Sequence, residues 1–366
     1  MAPATTAQAA TTQAAAELPT ATLAEARAQF APDRGYLSAC TLGLPTVKTV
    51  EALRTDLAAW HAGHRGPVDY ERAVAAGRAH YARLVGVGID SVAIGSQTSV
   101  MAGLIAASVP DGAEVVCVDG DFSSIVFPFM QHEHRGVSVR HVPLEALANS
   151  ITKRTWLVAF SLVQSATGRV ADADAIVEAA RLAGAVTLCD VTQAAGWMPV
   201  LAERFDLTIG HAYKWLCSPR GVAFLTVSPT FAPKLRPAQA GWYAGEDPWQ
   251  SCYGPNMRLS PTARAFDVSP AWQAWIGAEP ALELFAGIDP AVVAAYDGGL
   301  GDALCDGLGI EQHGQAIVTW PDADGEQLAL LTDAGLVASG RAGRARVAFH
   351  LWNDEDDVEA VLRALR

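Results

Sequence analysis

Charge is scarce in this 366-residue chain: Asp, Glu, Lys and Arg make up 18% of it, and acids outnumber bases 39 to 26, for a formal net charge of −13. That balance argues against nucleic acid or an anionic membrane as a partner, because both repel a chain of this sign. It does not exclude a phosphorylated small molecule, which needs local donors rather than a basic protein. Cysteine is also sparse. Cys40, Cys117, Cys189, Cys217, Cys252 and Cys305 are scattered, with no CxxC pair and no dense framework, so they read as reduced thiols of a cytoplasmic protein. Metal-ligand spacing is missing; His132 and His134 stand apart from other ligands, and no metal is expected. No apolar run is long enough to span a membrane. Residues 1–20 open with an Ala/Thr/Gln-rich stretch that lacks the positive start and apolar centre of a signal peptide, and are expected to be a disordered leader.

Apolar residues, at 51%, are enough for a large and a small domain. The chain centres on Ala185 to Val222. An apolar run ends in Asp190, a small-residue turn carries Gln193, a second run ends at Ile209, and Lys214 follows among polar and aromatic neighbours. A carboxylate and a lysine, each just past a short apolar strand, suggest groups gathered at one edge of a buried sheet, where ligands of open α/β sheets bind. Upstream, strand-like Ser91 to Gly95 runs into Ser96-Gln97-Thr98 and an apolar helical stretch. A strand, small polar residues and a helix start make a phosphate cradle, since unpaired N–H groups and the helix dipole favour an anion there. Further strands are expected over Glu114–Val118, Val137–Val142 and Thr155–Phe160, with a crossover helix over Asp172–Ala183, as in a mostly parallel sheet.

The Asp190, Gln193 and Lys214 segment resembles the active-site stretch of the class V aminotransferase and cysteine desulfurase superfamily of fold-type I pyridoxal phosphate (PLP) enzymes. The resemblance implies an α/β fold: a large domain with a mostly parallel, seven-stranded-type sheet flanked by helices, and a small C-terminal α+β domain. The expected boundaries are an N-terminal arm over 21–45, the large domain over 46–288 and the small domain over 289–366. It implies that Asp190 pairs with the pyridine nitrogen, Gln193 lies against the ring hydroxyl, and Lys214 is the catalytic Schiff-base lysine. Ser96, Gln97 and Thr98 then take the phosphate, helped by His211 and Tyr213. Phe122 stacks on the ring, and Gln164 and Ser165 face cofactor or substrate. In such enzymes a loop like Gln239–Tyr243 and its downstream Arg264 segment reaches the neighbouring subunit's cofactor, so Trp242 is implied to act from a partner in a homodimer with shared sites. Ser38, Cys40 and Thr41, in a stretch similar to the opening of kynureninase-type enzymes, become substrate-side residues. Arg341, in Ser339 to Val347, best matches the small-domain arginine that grips a substrate carboxylate, with Arg344 and Arg346 taken as surface or structural residues.

The reaction is narrowed by absences. A desulfurase needs a mobile cysteine loop near the carboxylate-binding arginine, and no cysteine lies between Arg341 and Arg346. Kynureninases usually show Asp-Gly-Asn where this chain has Ser38-Ala-Cys40. The remaining pattern is similar to bacterial class V proteins of secondary metabolism, including ergothioneine and lincosamide C–S lyase-type enzymes. The expected function is β-elimination from an S-substituted cysteine conjugate, releasing thiol, pyruvate and ammonia, in bacterial thiol or antibiotic-type metabolism. The alternatives are transamination or decarboxylation-coupled oxidative deamination of a related conjugate, then a kynureninase-like hydrolase or a PLP-fold protein without turnover.

Overall fold

The computed structural model describes residues 20–366; all of the expected leader except Thr20 lies outside the described residues. Seven strands form the main sheet: β1 (Val92–Gly95), β2 (Glu114–Val118), β3 (Ser138–Val142), β4 (Thr155–Ser161), β5 (Val186–Asp190), β6 (Leu207–His211) and β7 (Ala223–Val227), in the order β1-β7-β6-β5-β4-β2-β3. The run β3-β2-β4-β5-β6 is parallel, and β7 lies antiparallel between β6 and β1. Apart from the polar, partly exposed edge strand β3, the strands are short, largely apolar and buried on both faces, as a parallel sheet covered by helices requires. Alternation along the pleat feeds two apolar layers. Val116 and Val118 join one with Phe160, Cys189 and Phe224, while Val115 and Cys117 join the other with Leu157, Leu188 and Leu225.

A second, three-stranded antiparallel sheet, ordered β8-β10-β9, is built from β8 (Ile317–Pro321), β9 (Ser339–Arg341) and β10 (Arg344–Ala348). The N-terminal arm is stitched onto it: Tyr36 bridges to Val337 and Ser38 to Ala348, and Leu37 packs within that sheet's own apolar cluster. Asp357 also holds the arm, accepting from the Gly35 backbone N–H at 3.1 Å. The acidic run Asp354–Asp357 divides its roles. Asp354 caps the helix Glu355–Ala364 while Asp357 turns inward and is 5% exposed.

Two helices carry weak sequence signals. Ser123–Met130 contains Pro128, and Pro290–Leu308 contains Gly298, Gly299, Gly301 and Gly307, residues poor at sustaining helices. The reason for two of these glycines is contact. A side chain at Gly298 or Gly301 would strike the backbone of Gly314 and Gln315, so the helix gives up propensity to lie close to that strand entry. Among the described residues, no helix is long and apolar enough to cross a membrane.

Candidate active site

The C-terminal ends of β1, β2, β4, β5 and β6 open on one edge of the sheet, and the polar residues that follow them converge there. Asp190 ends β5 at 3% exposure, with one carboxylate oxygen accepting from the Thr192 N–H at 2.8 Å. Lys214, past β6, is 6% exposed. Burial pushes Asp190 up to about 6, partly offset by its Thr192 bonds and by Lys214. Burial likewise drives Lys214 down to about 8, against the pull of Asp190 toward the charged form. Desolvation exceeds pairing for both groups, leaving a lysine that loses its proton far more readily than one in water.

The neighbouring polar groups fit a phosphorylated aromatic ligand. The helix Thr98–Ala106 begins after Gln97 without a side-chain cap, so its first N–H groups are free for an anion. Thr98 is 2% exposed, Ser96 half-buried and Gln97 exposed. His211 is buried, and its Nε2 has no hydrogen-bond partner among the described residues. Burial, with Arg220 and Lys214 nearby, pushes its pKa to about 3, so the ring is neutral and can offer one N–H. Tyr213 packs edge-on to His211 at 4.3 Å, with the Arg220 guanidinium 4.9 Å from its ring centre. Burial raises the Tyr213 phenol, keeping it a donor. An orphaned buried imidazole, an uncapped helix and a phenol beside an arginine suit a phosphate. The raised carboxyl of Asp190 suits a ring nitrogen that must hold a proton.

Gln193 is a hub whose orientation follows from chemistry. The Trp215 indole N–H can only donate, so its 2.8 Å partner is Oε1 of Gln193. The Cys40 carbonyl can only accept, so its 2.9 Å partner is Nε2, which also reaches Ser165 Oγ at 3.1 Å. Both amide hydrogens are thus committed within the protein, so what Gln193 has left to offer a ligand is an acceptor rather than a donor. Ser165 also receives the guanidinium of Arg346 on its carbonyl and hydroxyl. The same guanidinium donates to Thr41 Oγ1 at 2.9 Å and Ser339 Oγ at 3.1 Å. Arg346 is 1% exposed, whereas Arg341 lies at the exposed turn and donates to its own neighbour's carbonyl, Gly340 O, at 2.6 Å. Among these arginines the buried, inward guanidinium is that of Arg346, while Arg341 lies at the turn with its charge still felt at Lys214. The hairpin register explains this, since Arg341 pairs with Arg344 beside the turn and Arg346 pairs with Ser339, two residues deeper.

Cys40 and Ser38 are buried at 1% and 4%, and Thr41 is half-buried against Arg346. Gly43 of the same segment donates its N–H to the Tyr213 carbonyl at 2.9 Å, and a side chain there would collide with the Lys214 carbonyl. Phe122 is 42% exposed, with its ring centre 5.5 Å from the Lys214 ammonium. Asp121 anchors it. Its carboxylate takes the Phe122 N–H at 2.7 Å, the Ser161 N–H and hydroxyl at 2.8 and 2.6 Å, and Gln164 Nε2 at 3.1 Å. Gln164 gives its second hydrogen to Ser161 O at 3.2 Å, so its amide braces the loop. Trp242 packs within its own loop, 5.1 Å from both Tyr243 and Trp249, and is not brought to Lys214 of its own chain by any of these contacts. Asp121 and Trp215 left no local signal. Each is recognisable only from partners supplied by other elements.

The family model for aminotransferase class-V matches residues 46–329. An uncharacterized aminotransferase, YcbU, from Bacillus subtilis is 27% identical over 303 residues, covering 77% of this chain and 80% of that one. A kynureninase from Deinococcus radiodurans is 31% identical over 58% of this chain and 53% of its own, so the match spans about half of that relative. Among solved structures, the cystine C–S lyase C-DES in complex with cysteine persulfide superposes with a TM-score of 0.81 at 18% identity, covering 90% of this chain and 96% of that one. A C-DES mutant with glycine covalently linked to the PLP cofactor gives the same score over 92% and 99%. These likenesses, below a quarter identity, establish the fold-type I architecture.

Proposed function

We propose that this chain, which belongs to the class-V aminotransferase family, cleaves an S-substituted cysteine conjugate by β-elimination. It is a PLP-dependent enzyme. When bound, PLP supplies the electron sink for the pair left at the substrate α-carbon. Thr98, His211 and Tyr213 would hold its phosphate, Phe122 would cover its ring, and Asp190 would keep the proton on its ring nitrogen. Lys214 would hold the cofactor and would serve as the base at the substrate α-carbon. Its depressed pKa of about 8 makes the neutral, proton-accepting form available near neutral pH. Arg346 binds the substrate carboxylate by exchanging its serine and threonine partners for a planar, two-bond grip. The C–S bond then breaks, sulfur leaves with the bonding pair, and uptake of one water gives thiol, pyruvate and ammonia in net.

The observation that carries elimination over persulfide formation is the hairpin beside the arginine. β9 and β10 are joined by Ala342-Gly343 alone, leaving no loop and no cysteine to receive sulfur. The relative described as a cystine C–S lyase supports the same class of bond. The substrate class would be amino-acid thiol conjugates of bacterial thiol or secondary metabolism. The active assembly would be a homodimer in which Trp242 reaches the neighbouring copy's site.

The test is to incubate the holoenzyme with S-alkyl cysteines and assay thiol and pyruvate. Both are expected without an added keto acid, and neither from Lys214→Ala. Amino transfer that depends on a keto acid, or oxygen uptake with carbon dioxide release, would reject β-elimination in favour of transamination or oxidative deamination.

A further inference from the structure

One pair of buried titratable groups lies outside the chemistry described above. Asp297 sits in the helix Pro290–Leu308 and His350 just beyond β10, and both are 0% exposed. Nδ1 of His350 is 2.8 Å from Asp297 Oδ2, and Nε2 is 2.9 Å from the carbonyl oxygen of Trp215. Aromatic rings fix the imidazole in place: Phe285 stacks at 5.5 Å and 14°, while Trp215 and Trp352 meet it edge-on at 5.2 and 4.9 Å. Asp297 Oδ1 has no hydrogen-bond partner among the described residues, so His350 is the carboxylate's one hydrogen-bonded anchor there.

Hydrogen-bond chemistry counts the protons. A carbonyl oxygen cannot donate, so Nε2 must carry a hydrogen. The second contact needs one further proton between Nδ1 and Oδ2. Whether that proton rests on nitrogen or on oxygen, the pair holds two protons and no net charge, which is the state a dry site tolerates. Trp215 directly follows Lys214, and it is held at both ends: its carbonyl by His350, its indole N–H by Gln193. Gly196, at φ 115°, closes over the same carbonyl, where a Cβ would lie 2.6 Å away.

We infer that Asp297 and His350 are positioning residues, a proton-sharing pair that fixes the Trp215 carbonyl and so sets the placement of Lys214 and the orientation of Gln193. The pair transmits the position of the helix Pro290–Leu308 to the lysine without touching any reacting atom. Its catalytic consequence rests on the reading of Lys214 as the cofactor-bearing base; the proton count does not.

Asp297→Ala and Asp297→Asn separate the roles. Asparagine can donate Nδ2–H to Nδ1 while Nε2–H still serves Trp215, so both bonds survive around a neutral ring; alanine offers nothing. In the full-length holoenzyme, Asp297→Ala is expected to lower PLP retention after dialysis and kcat on the order of tenfold, the scale on which outer hydrogen bonds act on the groups they orient. KM should stay unchanged, and Asp297→Asn should match wild type. Imidazole ¹⁵N resonances of the cofactor-free chain should show His350 Nε2 protonated in wild type and in Asp297→Asn. A bare Nε2, asparagine as damaging as alanine, or alanine retaining PLP like wild type would each overturn the proposal. If wild type itself binds no PLP, the functional reading fails, while the nitrogen resonances still decide the proton pair.

Discussion

A guanidinium grips a carboxylate only if it is held still and kept from water, and Arg346 meets both conditions while Arg341 meets neither. Arg346 is ringed by Ser165, Thr41 and Ser339, hydroxyls and a carbonyl that a substrate carboxylate can replace. Arg346→Lys is expected to lose ~2 kcal/mol of substrate binding, roughly thirtyfold in KM, because an ammonium cannot make the paired planar contact. Arg341→Ala should leave KM within about twofold, as for other exposed charges. Steady-state kinetics on an S-alkyl cysteine checks both, and equal effects would refute the assignment. The sequence could not make this choice. Three arginines lie within a short stretch, and only the hairpin register decides which of them sits deep and which lies at the turn. The placement of Asp190 and Lys214 was legible because the first ends an apolar run and the second lies shortly past one, a relation local to the chain. The commitments of Gln193 were not, since they depend on Cys40, Ser165 and Trp215 arriving from three other segments.

At the scale of elements, the arm is the piece whose role exceeds its signal. It adds two bridges to the small sheet and then presses Gly43 against the backbone of Tyr213 and Lys214. Gly43→Ala must push the arm or the lysine loop away. The expected result is about 1–3 kcal/mol of destabilisation, the usual range for overpacking, with loss of PLP retention. Urea unfolding and the cofactor absorbance after dialysis measure the two. An alanine variant that keeps both at wild-type values would show that the contact relaxes freely. Sheet strands and crossover helices were readable from apolar runs and periodicity. The helix Pro290–Leu308 was not, because its glycines serve contact with Gly314 and Gln315 rather than helix propensity. The helix Ser123–Met130 was masked by Pro128 and by an aromatic run that reads as loop.

At the scale of the molecule, burying the lysine makes stability depend on pH. Folded Lys214 loses its proton near 8 and an unfolded lysine near its ordinary 10.5. Between these values the unfolded chain holds a proton that the folded chain has released, so this group's contribution rises with pH across that window, by about 3 kcal/mol in all. Asp190 has the opposite sign. Raised from 3.8 to about 6, it binds its proton more tightly when folded, and its contribution falls as pH climbs through that lower window. Urea midpoints of cofactor-free wild type and Lys214→Met, compared from pH 7 to 10.5, should therefore converge or cross in favour of wild type as pH rises. A gap that does not change with pH would mean that burial leaves the lysine unshifted.

The bridges between Ser38 and Ala348, and the bond from Arg346 to Thr41 across 305 positions, also bear on synthesis. The arm leaves the ribosome well before the strand that secures it, since 305 positions separate Thr41 from Arg346. The main sheet can assemble meanwhile from neighbouring strands, but the arm beside Lys214 stays unsecured until β10 has emerged. A nascent chain that still lacks β10 is thus unable to finish its own pocket.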